Sequence, residues 1–270
     1  MDPAHTFPPA HHFFRDLGYR VVRRDGREVG CLPAQAGLHR ADGALPVGAL
    51  VTLVDMVTGR TAQRAAAPAY PITADIDLRL AGRGSFDEYL VTATLLHRGQ
   101  RSCVLEAEIS ARRGEHVERI GLASANFALF PPLEDFPLGR VTSAEDGIDF
   151  GASRAGLTGP LPEQLGIRTC DAAAGRVEID VDDYVRNPVG VLQGGVHAVL
   201  IEHAVELFSQ HRTGSSAHIE AATLRYLSAG RVGPIQTTVR GAVGDRLLVV
   251  DLRDVGGEDR RVTTAVVALA

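Results

Sequence analysis

The chain contains no lysine; all 28 of its basic side chains are arginine. A Schiff-base lysine and a phosphate-loop lysine are therefore outside its chemistry. Tryptophan is also absent and aromatic residues make up only 5%, which excludes a stacking platform for single-stranded nucleic acid. The net charge of -5 gives no basic face for a nucleic-acid partner. The three cysteines, Cys31, Cys103 and Cys170, lie far apart with no CxxC or Cys/His metal spacing. They read as small buried hydrophobes in a reducing compartment, and no metal is expected. No apolar run reaches the roughly 18 residues of a membrane helix. The best candidates, around Val51 and Val199, are broken by Asp55 and Glu202. The start, MDPAHTFPPAHHFF, lacks the cationic and apolar regions of a secretory signal. The expectation is a soluble cytoplasmic protein with no membrane partner and no nucleic-acid partner.

What is present is an ordinary globular composition, 45% apolar and 23% charged, which excludes wholesale disorder. A length of 270 residues allows one large domain or two modest ones. Internal similarity decides between them. DLGYRV (16–21) is matched by QLGIRT (164–169), and RADGALPVGALVTLVD (40–55) aligns without gaps on NPVGVLQGGVHAVLIE (187–202). The offset is 147 positions, as from Gly48 to Gly195, and it sets Leu45 on Leu192 and Asp55 on Glu202. TADIDLRLAGRG (73–84) then matches AATLRYLSAGRVG (221–233) with a one-residue shift. A period this long marks a duplicated domain rather than a solenoid. The boundaries read as a first domain over 11–130, a Pro-, Gly- and acid-rich linker over 131–160, and a second domain over 161–270.

Each half runs strand, glycine-containing turn, helix, then several strands. In the second half Val196, Val199, Leu200, His203 and Leu207 recur at helical spacing over about 195–210. The equivalent first helix is less favoured locally, because Val51, Thr52, Val54 and Val57 are β-branched. Alternation in VTATLLH and SCVLEAEIS marks strands. The fold class is α+β, an antiparallel sheet wrapping one helix in each half.

The chemistry concentrates at NPVGVLQGGVHAVLIE. Gly194 and Gly195 open a helix, so backbone can approach a ligand closely and free N–H groups at the helix tip suit a polarised carbonyl. Glu202, and Asp55 in the matching place, are acids inside otherwise apolar helices, which must be paired, solvated or functional. Each residue also has a bland reading. Asp55 and Glu202 can pair with arginines, Asn187 can serve a turn, Gln193 can bond nearby backbone, and the glycines can serve packing alone. His11 and His12 are expected to be solvated, and His197 and His203 to be structural.

The order Asn, Gly, Leu, Gln-Gly-Gly and a helix acid resembles the hotdog-fold acyl-CoA thioesterases of the phenylacetyl-CoA type. LLHRGQRSCVLEAEIS (95–110) is similar to the strand–turn–strand that follows in that family. The resemblance covers both halves and implies two fused hotdog domains, each an antiparallel sheet wrapped around a central helix. It implies hydrolysis of an acyl-CoA or related acyl thioester with no cofactor. Catalytic roles fall on Asp55, Thr73, Asn187 and Gly194, with Glu202 as the acid of a second composite site. Substrate-binding roles fall on Gln193 and Gly195, and on Arg98 and Arg101 toward the CoA phosphates. Two departures stand out: Gln193 replaces the family's usual His, and the second site offers Arg40, Pro46, Val47 and Gly48 where the first has Asn187 and Gln-Gly-Gly. One working and one degenerate site per chain follow. A non-catalytic acyl-CoA-binding or regulatory protein and an enoyl-CoA hydratase or dehydratase are the alternatives. By analogy, the chain is expected to form a homodimer.

Overall fold

The structure is a computed structural model that describes residues 7–24, 26–35, 37–40, 43–82, 84–132, 148–150, 156–244 and 246–270. Most of the expected 131–160 linker lies outside the described residues. In chain order the elements are α1 (Phe13–Leu17), β1 (Arg20–Arg24), β2 (Arg27–Pro33), α2 (Val47–Ala66), β3 (Tyr70–Leu80), β4 (Glu88–Arg98), β5 (Ser102–Arg113), β6 (His116–Phe130) and β7 (Ile148–Asp149). They continue with α3 (Leu161–Gln164), β8 (Arg168–Asp171), β9 (Arg176–Ile179), α4 (Gly194–Thr213), β10 (Ile219–Tyr226), β11 (Ile235–Val243), β12 (Leu247–Asp254) and β13 (Arg260–Leu269).

The strands form one antiparallel sheet in the order β7-β1-β2-β4-β5-β6-β3-β10-β13-β12-β11-β9-β8. The sheet does not stop between the two repeats: β3 pairs with β10 in the register Asp75↔Arg225, Ile76↔Leu224 and Asp77↔Thr223. Ile76 and Leu224 are themselves matched by the repeat, now at an offset of 148. Equivalent strands therefore meet about their own midpoint, as in a two-fold pairing. Alternation sets the core. In β5, Cys103, Leu105, Ala107, Ile109 and Ala111 are buried, and α2 packs against this strand.

The two long helices cover the sheet, α2 over β2 to β6 and α4 over β9 to β12, and they pack on each other. Despite its β-branched residues, α2 is helical for 20 residues, because Leu50, Val51, Leu53, Val54 and Val57 are all buried. Burial of this kind outweighs propensity differences of a few tenths of a kcal/mol per residue. Where α2 and α4 touch, glycine makes the contact possible. A Cβ on Gly48 would sit 2.6 Å from Val199 Cα, and a Cβ on Gly195 would sit 2.6 Å from Thr52 Cα. Gly48 matches Gly195 and Thr52 matches Val199, so the crossing has the symmetry of the repeat.

Two expectations are corrected here. His12 is fully buried, not solvated. Its Nδ1 accepts from the Phe14 N–H, so Nε2 carries the proton and donates to the Arg186 carbonyl at 2.9 Å. Burial holds its pKa down to about 4, which keeps it neutral. With Tyr184 Oη donating to Asp16 Oδ2 at 2.7 Å, it clasps the first half to the loop before α4. Cys170 is exposed, whereas Cys31 and Cys103 are buried as expected. Among the described residues no helix is long and apolar enough to cross a membrane.

Candidate active site

Asp55 lies on α2 two turns beyond Gly48. Thr73 lies in β3 at a bulge, where the register against β6 shifts between Thr73 and Asp75. A bulge re-aims its side chain, and Thr73 Oγ1 donates to Asp55 Oδ1 at 2.8 Å. The other carboxylate oxygen is met from the second half, where Gln193 Nε2 donates to Oδ2 at 3.0 Å. Gln193 Oε1 meanwhile accepts from the Gly195 N–H at the start of α4. One amide group thus caps the helix with its oxygen and orients Asp55 with its nitrogen.

Gly194 completes the cluster. A Cβ there would lie 2.8 Å from Asp55 Oδ2, so only glycine brings the backbone this close without displacing the carboxylate. Among the described residues nothing accepts from the Gly194 N–H. It is one of the orphan donors of a helix start, at the positive end of the helix dipole.

The electrostatics fit a base. Asp55 is half-buried, and among the described residues no cation pairs with it. Burial raises its pKa to about 6, against the opposing hydrogen bonds from Thr73 and Gln193. Two tyrosines border it. Burial first, and the Asp55 charge second, push Tyr70 up to about 12 and Tyr226 well above its ordinary value, so both stay protonated.

The matching position behaves differently. Glu202 is one methylene longer and reaches the α2 tip. Its Oε1 accepts from the Val47 N–H and its Oε2 from the Gly48 N–H, both at 2.9 Å. Arg40 Nη1 lies 3.2 Å from Oε1, and the same guanidinium bonds Glu206 and the Ala217 carbonyl. Burial pushes the Glu202 carboxyl up, opposed by these donors and by the Arg40 charge. The counterpart of the unused Gly194 N–H, that of Val47, is here taken by the carboxylate, as is that of Gly48. Two cavities border Glu202 rather than Asp55, the wider of about 660 Å³ and reaching His203, Glu206 and His218.

Asp55, Thr73, Gln193, Gly194 and Gly195 therefore come together, and Arg40 and Glu202 meet as well. Asn187 does not join them. Its Oδ1 accepts from the Val189 and Val191 N–H groups at 3.0 and 3.2 Å, which closes the turn before Gln193. Arg98 and Arg101 lie in the β4–β5 hairpin. Arg98 Nε donates to the Ala65 carbonyl near the far end of α2, about 15 Å of helix rise from Asp55. Sequence reasoning missed Tyr226, whose Oη donates to the Gly194 carbonyl at 3.0 Å. A signal existed: at the offset of 148 its counterpart is Leu78, so the hydroxyl is peculiar to one half.

No family model matches the sequence and no curated protein matches it. Solved structures do. An acyl-ACP thioesterase from Bacteroides thetaiotaomicron matches with a TM-score of 0.59 at 12% identity, over 90% of this chain and 97% of that one. A 12:0-ACP thioesterase from Umbellularia californica matches with a TM-score of 0.58 at 10% identity, over 90% and 96% respectively. At such identities the likeness is one of fold, and the fold shared is the hotdog.

Proposed function

We propose that the chain is a hydrolase of acyl thioesters, acyl-CoA foremost, built from two fused hotdog units with one working site between them. One observation carries this reading: a half-buried carboxylate with no cation of its own packs against a helix tip whose first N–H is unused. In the reaction Asp55 takes a proton from water as the oxygen attacks the thioester carbon. The carbonyl oxygen, turning into an oxyanion, accepts from the Gly194 N–H. Collapse of the tetrahedral intermediate breaks the C–S bond, and the proton held by Asp55 goes to the departing sulfur. The products are a carboxylic acid and a thiol. Thr73 and Gln193 hold the carboxylate in place, and Asn187 acts through the turn that sets Gln193. The thioesterase activity named for the two similar structures is consistent with this assignment, but the assignment rests on Asp55. Arg98 and Arg101 are assigned to the CoA phosphates, and two chains are expected to associate as a homodimer, which sedimentation would check.

The test is thiol release from acetyl-, hexanoyl-, palmitoyl- and phenylacetyl-CoA and from the matching acyl-carrier-protein thioesters. Release from the CoA esters supports the reading, and release from carrier esters alone moves the substrate. Silence across the panel, or loss of enoyl-CoA absorbance instead, defeats it. The pH profile adds a sharper check. Asp55 works only when ionised, so kcat/KM falls about tenfold per pH unit below about 6 and levels off above it. A profile flat through that range contradicts Asp55 as the base.

Glu202→Gln gives the contrasting result. It puts an NH₂ group where one carboxylate oxygen accepted from the α2 tip, so a buried N–H there loses its acceptor and stability drops by about 1–3 kcal/mol. Turnover per folded molecule stays within about twofold, because general-base loss of the ~10²-fold kind is confined to Asp55. Steady-state kinetics beside a urea titration separate the two effects.

A further inference from the structure

We infer that Tyr226 is a positioning residue that holds the tip of α4 from its carbonyl side and so keeps the Gly194 N–H fixed and open. The inference deepens the hydrolase reading above and rests on it for its kinetic part.

The argument begins with a conflict at Gly194. A Cβ there would meet Asp55 Oδ2 at 2.8 Å and push the carboxylate aside, and a residue without Cβ loses the steric limits that hold φ and ψ. It is also the first residue of its helix, where fraying begins. An amide that must meet a developing negative charge cannot be left loose, since donors contribute most when their geometry is set beforehand. Something must restore the order that glycine gives away.

The two halves restore it in opposite ways. At the α2 tip Glu202 grips the Val47 and Gly48 N–H groups. The tip is held, but its donors are spent. At the α4 tip Tyr226 Oη donates to the Gly194 carbonyl at 3.0 Å. That carbonyl shares its peptide with the Gly195 N–H, which Gln193 Oε1 already holds, so the peptide after Gly194 is gripped at both ends while Gly194's own N–H, on the preceding peptide, is left for another acceptor.

Tyr226 is itself braced. It stands at the end of β10, and its ring lies against His197, one turn into α4, with centroids 5.5 Å apart. His197 is buried, and its Nδ1 lies 2.6 Å from Thr263 Oγ1 on β13. The tip is thus tied to two strands. Leu78, the counterpart of Tyr226, is a buried aliphatic side chain with no hydroxyl, so only the working half carries the device.

Tyr226→Phe in the full chain removes the O–H and keeps the ring. Two measurements decide the outcome. Hydrogen–deuterium exchange over residues 190–200 is expected to speed up about tenfold at the α4 tip, as the tether opens. Turnover of the best CoA ester in the panel is expected to fall about 5- to 20-fold in kcat with KM and the pH inflection unchanged. A purely structural role would lower the melting temperature and leave kcat per folded molecule intact. Unchanged exchange overturns the inference whatever the activity, and faster exchange with unchanged kcat overturns its catalytic part. If the wild-type chain releases no thiol from any ester, the hydrolase reading fails while exchange still reports on the tether.

Discussion

Asp55→Asn is expected to lower kcat by about 10²–10⁴-fold and, at the same time, to raise the melting temperature. The kinetic half follows from basicity: an amide cannot take the proton of the attacking water. The shape survives, since Asn still offers an acceptor, and Thr73 Oγ1 can either donate or accept. The stability half follows from linkage. Burial lifts the Asp55 pKa from 3.8 to about 6 in the folded protein. A carboxyl with a raised folded value favours folding when protonated, and that contribution is complete below the unfolded value. It fades as pH rises through about 6, leaving a penalty of up to about 3 kcal/mol at neutral pH and above. Partial exposure to solvent makes the measured penalty smaller. The variant should therefore melt higher than the wild type at about pH 8, and the gap should close by about pH 4. Turnover at the wild-type rate would remove Asp55 from the mechanism. Equal melting temperatures at both pH values would show that its ionisation is not penalised.

Gly195→Ala should be the most damaging single change to the fold. Its new Cβ would lie 2.0 Å from Thr52 Oγ1, 2.5 Å from Thr52 Cβ and 2.6 Å from Thr52 Cα. The hydroxyl can rotate away, but the Cα cannot, so α2 and α4 must part and the core between them loosens. Overpacking commonly costs about 1–3 kcal/mol when side chains can yield. Here backbone blocks the path, so about 3–5 kcal/mol is expected, a large share of a typical total of about 5–15. Gly48→Ala meets Val199 N and Cα at 2.6 Å and should be similarly severe. Gly241 has nothing within 4 Å of its added Cβ, so Gly241→Ala is the neutral control. Gly194→Ala falls between, since its Cβ meets a carboxylate that can turn; it should fold and lose activity. Urea midpoints for the four variants test the ranking, and a wild-type midpoint for Gly195→Ala would show that the helices yield more readily than their packing implies.

Much of the candidate site was legible in the sequence. The offset that sets Gly48 on Gly195 and Asp55 on Glu202 pointed to both acids and both helix tips. The helix predicted over 195–210 is observed as Gly194–Thr213. The bland readings divided. Asp55 is not an ion-paired helix acid, whereas Glu202 is held by Arg40, and Asn187 serves its turn. His12 was misread because a Pro-rich start looks solvated; its burial depends on Tyr184 and Arg186, far along the chain.

The sequence by itself determined the α+β class, the two-fold repetition and the short list of residues able to do acid–base work. These follow from periodicity and residue type, which are local. Tertiary structure alone decided which acid is held by a cation and two amides and which is not. Asp55 and Glu202 hold equivalent places, yet one extra methylene lets Glu202 reach the amides of the opposite helix, while Asp55 stops short and leaves Gly194 with an open N–H. Which amides a carboxylate of given length can reach depends on how closely two helices approach. That approach is set by glycines packed against residues about 150 positions away, and no local pattern records it.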